Sequence, residues 1–194
     1  MRVSASSTIH LGSISCILVG LFLLVVFIPS WSEPLWPISF LNVPFSAVIF
    51  LLPVSLTGLY VQQLKKSQWL TWMGFVMSII GMSIVIISYI YLSLQHFVIY
   101  PPRSPFVSTF LGGLLVLSIG IIFFSLAVRK TNTFLSRSQF VTGILGGIIP
   151  LASEISGAGP FFSLLWIPFG TCWVLTGYAL WLDARKETQV PHYI

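Results

Sequence analysis

Long apolar runs, separated by short polar breaks, divide this chain into six segments. A helix that crosses a bilayer needs about 20 mostly apolar residues, and runs of this length are typical of transmembrane helices. The pattern therefore predicts an all-α, polytopic transmembrane bundle. Its six helices are expected at about residues 11–29, 44–64, 69–94, 106–128, 138–157 and 161–182.

Two of the six runs have an alternative interpretation. The fifth run is interrupted by Pro150, Glu154 and Gly157, so it is the weakest candidate for a full crossing. The first run follows Arg2 and precedes a Ser-Trp-Ser sequence, which resembles a poor signal-peptide cleavage site. Its apolar core is long for a signal peptide, and bulky Trp31 does not suit a small-residue cleavage site. We therefore expect the first helix to be retained, which makes residues 1–194 a single integral membrane domain.

Composition supports the membrane assignment. Hydrophobic residues make up 56% of the chain and charged residues only 7%. A soluble domain carries about 25% charged residues, which its surface needs in order to remain in water. The net charge of +5 does not indicate nucleic-acid binding, because the basic residues come in ones and twos between apolar runs and form no patch. Membrane lipid is the expected surrounding partner.

The distribution of Lys and Arg predicts the orientation. With six crossings and the N-terminus in the cytoplasm, eight basic residues are inside and one is outside. Without the fifth crossing the ratio becomes six to three, so the positive-inside rule favours six crossings. We expect both termini in the cytoplasm, and the plasma (cytoplasmic) membrane as the location. The inside set is Arg2, Lys65, Lys66, Arg129, Lys130, Arg137, Arg185 and Lys186, and the outside residue is Arg103.

Helix 6 carries the clearest packing pattern. Residues Trp166, Gly170, Trp173, Gly177 and Trp181 are spaced so that all five lie within one arc of the helix. This indole–glycine stripe is expected either to pack against a neighbouring helix of the same chain or to bind another membrane protein or a flat lipid. Trp173 falls near mid-bilayer, so we expect it to be buried against protein, with its indole N–H bonded to a hydroxyl or carbonyl of a neighbouring helix.

Helix 5 contains a second small-residue pattern. Gly143 and Gly147 form a Gly-x-x-x-Gly pair, which allows close approach of two helices in lipid. Most such pairs pack within one chain, and some join two copies of a chain.

The chain offers little material for catalysis. It has three histidines, near the predicted helix ends, and only four acidic residues. It contains no His-Glu-x-x-His, Gly-x-Ser-x-Gly or phosphate-loop motif. Cys16 and Cys172 are expected at different depths and therefore not in a disulfide. We expect no enzyme activity, no metal and no cofactor, although a serine-based site remains an alternative.

Glu154 is the acidic residue that could lie at membrane depth. One interpretation places it in a hydrated outer loop. The other places it at a helix break beside Pro150, lining an outward cavity with Ser153, where it would pair with Arg103 or bind a cation or amine.

A weak internal symmetry connects helix 5 with helix 2. In both, two aliphatic residues precede a proline, and hydroxyl residues and a glycine follow; in helix 2 the hydroxyls are Ser55 and Thr57. Proline-broken helices in matching halves mark binding sites in some transporters. The leading functional hypothesis is a non-enzymatic protein that binds or stabilises another membrane protein, or a second copy, through the helix 6 stripe. The alternative is a minimal carrier or channel-like protein with a site between broken helices 2 and 5.

Overall fold

The computed structural model describes residues 5–27, 38–64, 68–94, 105–129, 133–156 and 160–189. These residues form six α-helices and, within the described ranges, no strand, so the predicted fold class is confirmed. The helices are α1 (Ala5–Phe27), α2 (Ile38–Gln63), α3 (Gln68–Leu94), α4 (Pro105–Val128), α5 (Thr133–Ser156) and α6 (Pro160–Gln189).

Among the described residues, four helices are long and apolar enough to cross a membrane. They are α1 to α4, and α5 carries a shorter apolar stretch at Phe134–Ile149. Large apolar side chains also remain on the outside of the bundle, as with Phe50, which is 76% exposed, and Ile87, which is 67% exposed. A water-facing surface would not tolerate a continuous apolar coat of this kind. The chain is therefore a helical membrane protein.

The helix bounds differ from the predicted ones in informative places. Helix α1 begins at Ala5 and α6 continues to Gln189, beyond the apolar runs at both ends. Helix α2 begins at Ile38, before the start at about residue 44 that the apolar run predicts. Hydropathy measures only the lipid-buried part of a helix, and a helix continues into the interface as long as its backbone hydrogen bonds remain favourable.

The predicted breaks in helices 2 and 5 are wrong. Both α2 and α5 continue without interruption through their internal prolines, Pro53 and Pro150. A proline removes one backbone hydrogen bond, and in membranes hydroxyl side chains and neighbouring helices compensate for that loss. In α2, Pro53 leaves Ile49 O without its usual N–H donor, whereas Ser55 Oγ and Thr57 Oγ1 donate to two other carbonyls of the same helix, Leu51 O at 3.0 Å and Pro53 O at 2.8 Å.

The six helices form a ring in chain order. Helix α1 packs against α2 and α6, α4 packs against α3 and α5, α5 packs against α6, and a smaller contact between α2 and α3 closes the ring. Glycines permit the closest crossings. At the crossing of α1 and α2, a Cβ added to Gly12 would lie 2.5 Å from the Cα of Gly58. No other residue would allow these two backbones to approach so closely.

The bundle has two chemically different ends. Helices α2, α4 and α6 end, and α1, α3 and α5 begin, at what we call the basic end, which carries Arg129, Arg137 and Arg185. This is the end that the charge distribution predicts to be cytoplasmic. Between the two ends, the bundle is closed by a layer of fully buried apolar side chains. These are Leu56 and Leu59 of α2, Ile121 and Phe124 of α4, and Leu180 of α6.

Candidate functional site

The indole–glycine stripe of α6 faces the interior of the bundle. Trp166 and Trp173 are 4% and 1% exposed. A Cβ on Gly170 would lie 2.9 Å from Gly20 O, and one on Gly177 would lie 2.7 Å from Ser13 O, so both glycines contact the backbone of α1. The stripe is therefore an internal packing face. Because α1 already covers the stripe, this face is not free to bind another membrane protein.

The fifth residue of the stripe lies at the basic end. Trp181 is half-buried, and the guanidinium carbon of Arg185 lies 3.7 Å above its ring. This cation–π contact is typical of an aromatic residue at a membrane interface.

Trp173 is buried against protein, as predicted, but its indole N–H is not bonded as predicted. Among the described residues Nε1 has no hydrogen-bond acceptor. The ring instead makes an edge-on contact with Phe169, at 6.5 Å between centroids. Both rings line a cavity of about 40 Å³. The remaining lining side chains are apolar: Leu23, Val48, Ile49, Leu52, Met82, Val85, Ile86, Phe110, Leu114 and Leu117, with Trp166. None of these lining side chains carries an oxygen acceptor for the indole proton.

The close contacts of α5 are made by Gly143 and Gly146, rather than by the predicted pair Gly143 and Gly147. A Cβ on Gly143 would lie 3.0 Å from Ser118 O of α4, which is a close helix contact. A Cβ on Gly147 would have only Leu115 Cδ2 nearby, at 3.9 Å. The second close approach comes from Gly146, which faces the Ser118 side chain and Phe169.

Of the site predicted between helices 2 and 5, only the side chains of Ser55 and Thr57 are described. Ser55 is fully buried, whereas Thr57 lies on the exposed side of α2. The backbone of Ser153 and Glu154 belongs to the last turns of α5, which excludes both the loop and the helix break for Glu154. The side chains of these two residues, and the whole of Arg103, lie outside the described residues.

A different polar site bridges helices 2 and 5 near the basic end. Gln63 of α2 and Gln139 of α5 are both fully buried, and Gln63 Nε2 donates to Gln139 Oε1 at 3.3 Å. No Cα of α2 lies within 8 Å of a Cα of α5 in the described ranges. These long amide side chains therefore bridge two helices whose backbones are not adjacent.

Two further helices complete this site. Gln62, which is 4% exposed, donates from Nε2 to Asp183 Oδ2 of α6 at 2.7 Å. Thr71 of α3 is fully buried and donates to Gln63 O at 3.3 Å. Helices α2, α3, α5 and α6 thus contribute polar side chains near the basic end, which we together call the amide cluster: Gln62, Gln63, Thr71 and Gln139, which are buried, and Asp183, which is partly buried.

Hydroxyl groups extend this polarity along α5 and α6. Thr176 Oγ1 donates to Ser138 Oγ at 3.2 Å, and Ser138 Oγ donates to Leu135 O at 2.9 Å. Thr142 Oγ1 donates to Ser138 O at 2.8 Å. All three hydroxyl side chains are buried, so the interface of α5 and α6 remains polar about one turn deeper than the amides.

The amide cluster leaves polar atoms unused. Among the described residues, Gln62 Oε1, Gln63 Oε1 and Gln139 Nε2 are buried without a hydrogen-bond partner. Each buried polar group of this kind costs about 1–3 kcal/mol unless water or a ligand satisfies it. The cluster offers two carbonyl acceptors and one amide donor, beside the carboxylate of Asp183, whose Oδ2 accepts from Gln62.

Comparison with protein-family models, with curated proteins and with solved structures finds no match to this chain.

Proposed function

We propose that this chain is a non-enzymatic carrier or channel-like membrane protein in which the amide cluster binds a small neutral polar solute. One observation carries the proposal: three buried amide atoms without partners lie where helices from opposite sides of the bundle meet. Polar groups inside a membrane bundle are costly, and where they occur they commonly serve a pathway or a binding site.

The chemistry of the cluster supports a neutral solute. Glutamine amides donate and accept hydrogen bonds without charge, so they compensate a solute for the water that it loses. The unpartnered atoms of the cluster all belong to these amides, which are not general acids, general bases or nucleophiles, and this favours binding over catalysis.

The layer of Leu56, Leu59, Ile121, Phe124 and Leu180 supports a gated carrier rather than an open pore. These side chains are fully or almost fully buried, between the amide cluster and the apolar cavity next to Trp173. A solute bound at the amides would need this layer to open before it could cross. Gated rearrangements of packed helices are a common route of alternating access.

The competing proposal is an accessory protein that stabilises another membrane protein. It rested on the α6 stripe, and that face is packed against α1. A partner would therefore have to bind another surface of the bundle. The unused polar atoms of the amide cluster are buried inside the described part of the chain and do not offer such a surface.

Osmotic reswelling of proteoliposomes tests the carrier proposal. Vesicles with the protein are shocked with urea or glycerol, and light scattering follows solute entry. The parent should admit at least one solute of a neutral panel faster than protein-free vesicles, and Gln139→Leu should lose most of the increase. Thr57→Val is the matched control, because that hydroxyl is exposed and bonds only its own helix. Equal rates for the parent and the empty vesicles across the panel would refute the proposal.

A further inference from the structure

A second site of different chemistry lies between α4 and α5 at the basic end. It is a cleft of about 420 Å³, which we call the arginine cleft. Its lining residues are Ser125, Leu126, Arg129, Ser136, Arg137, Phe140 and Val141. The amide cluster contributes nothing to this lining, so the cleft is independent of the proposed function.

Reciprocal serine contacts fix the shape of the cleft. Ser125 Oγ donates to Ser136 O at 2.9 Å, and Ser136 Oγ donates to Ser125 O at 3.0 Å. This pair of buried hydrogen bonds joins the end of α4 to the start of α5. Arg129 follows Ser125 by one helical turn and Arg137 follows Ser136 directly, so these two hydrogen bonds keep both arginines at the cleft.

The two guanidinium groups are available for a ligand. Arg129 and Arg137 are both exposed, and within the described ranges neither has a carboxylate partner. Because both serine hydroxyls already donate to a backbone carbonyl of the other helix, an anion in the cleft would be held by the arginines. A guanidinium donates several hydrogen bonds in a planar fork that matches the oxygen atoms of a phosphate.

The other half of the cleft is apolar and open to the surroundings of the bundle. Leu126, Phe140 and Val141 are 40–43% exposed. Exposed apolar side chains on the outside of a membrane bundle face lipid chains rather than protein. The cleft therefore combines a cationic region with an apolar region next to it, which is the amphipathic pattern of a phospholipid.

We propose that the arginine cleft is a binding site for one anionic phospholipid of the leaflet at the basic end, with its phosphate between Arg129 and Arg137 and an acyl chain along Phe140 and Val141. Charge complementarity identifies the occupant. Two cations without a carboxylate partner among the described residues favour a headgroup with net negative charge over a zwitterionic one, whose own ammonium group they repel. Basic sites between helices on the cytoplasmic side of membrane proteins bind anionic headgroups in this way.

Native mass spectrometry of the detergent-solubilised protein tests the site. Phosphatidylglycerol and phosphatidylcholine with the same acyl chains are added in turn, and the bound lipid is counted. The parent should retain phosphatidylglycerol preferentially. The double variant Arg129→Gln/Arg137→Gln should bind it about 30-fold more weakly, as expected for the loss of two cations near a lipid headgroup. Arg185→Gln removes a charge from the same end but outside the cleft, and it should retain the preference of the parent.

Filling the cleft separates a formed site from general charge attraction. Val141→Trp occupies the apolar half and leaves both arginines in place, so it should weaken phosphatidylglycerol binding. Ile148→Trp, on an exposed position of the same helix outside the cleft, should not. The proposal is overturned if the parent retains both lipids equally, if the double glutamine variant binds as Arg185→Gln does, or if both tryptophan variants bind alike. Displacement of the lipid by inorganic phosphate would also overturn it and assign the cleft to a soluble anion.

Discussion

Replacing Gly20 by alanine should loosen the contact between α1 and α6. The new Cβ would lie 2.5 Å from Gly170 O and 2.7 Å from the backbone N of Val174. Both are backbone atoms, and neither can rotate away as a side chain could. The helices would therefore have to separate locally, which disturbs the internal stripe on which Trp173 is buried.

The magnitude follows from two opposing terms. Overpacking of a tight interior costs about 1–3 kcal/mol. Alanine is about 1 kcal/mol more favourable than glycine inside a helix, which offsets part of that cost. The difference is a net loss of about 0–2 kcal/mol, which corresponds to a melting temperature lower by up to about 8 °C for a chain of this size.

Gly112→Ala is the matched control. Nothing lies within 4 Å of a Cβ at Gly112, so this variant gains helix propensity without a clash. Thermal unfolding can be followed with a thiol-reactive dye in a Cys172→Ala background, because Cys16 is fully buried and reacts only when the bundle opens. If Gly20→Ala melts at the same temperature as Gly112→Ala, or above it, the described contact between α1 and α6 is wrong.

Three further predictions concern topology, packing and Glu154. Reporter fusions after Leu64, after Val128 and at the C-terminus should all report a cytoplasmic location, and an outside C-terminus would contradict six crossings. Gly177→Ala should also lower the melting temperature by a few degrees, because its Cβ would lie 2.7 Å from a carbonyl of α1; an unchanged melting curve would contradict this. Glu154→Cys should react with an impermeant thiol reagent more slowly than Glu33→Cys, since α5 continues through position 154. Equal rates would contradict this and indicate that position 154 is hydrated.

The bundle could be predicted from the apolar runs because lipid imposes a simple rule on sequence. Any crossing helix must be apolar over its buried length, so hydropathy alone indicates where helices lie. Glycine spacing also identified Gly170 and Gly177 as a packing face. Which helix packs against that face depends on how the helices are arranged in the bundle. This arrangement cannot be read from a single sequence.

The amide cluster could not be predicted, for a related reason. Gln62 and Gln63 stand at the end of an apolar run, where polar residues normally mark the interface. Consecutive helix residues point about 100° apart, so one of the pair would be expected to face outward. Both are buried because α6 covers one side, through Asp183, and Gln139 reaches across from α5 on the other. The only feature of the sequence that could have indicated their burial is that these side chains are amides and carry no charge.

Reactivity of a cysteine placed at position 139 tests most directly whether the amide cluster is open to small polar molecules. The variant Gln139→Cys is made in a background in which Cys16 and Cys172 are alanine, and it is treated with a small neutral thiol reagent. A thiol reacts through its thiolate, which requires a hydrated surrounding. We expect a rate far above that of Leu180→Cys, in the dry layer, and closer to that of exposed Arg185→Cys. A rate as low as at position 180 would show that the cluster is closed and dry, and it would contradict a solute-binding site there.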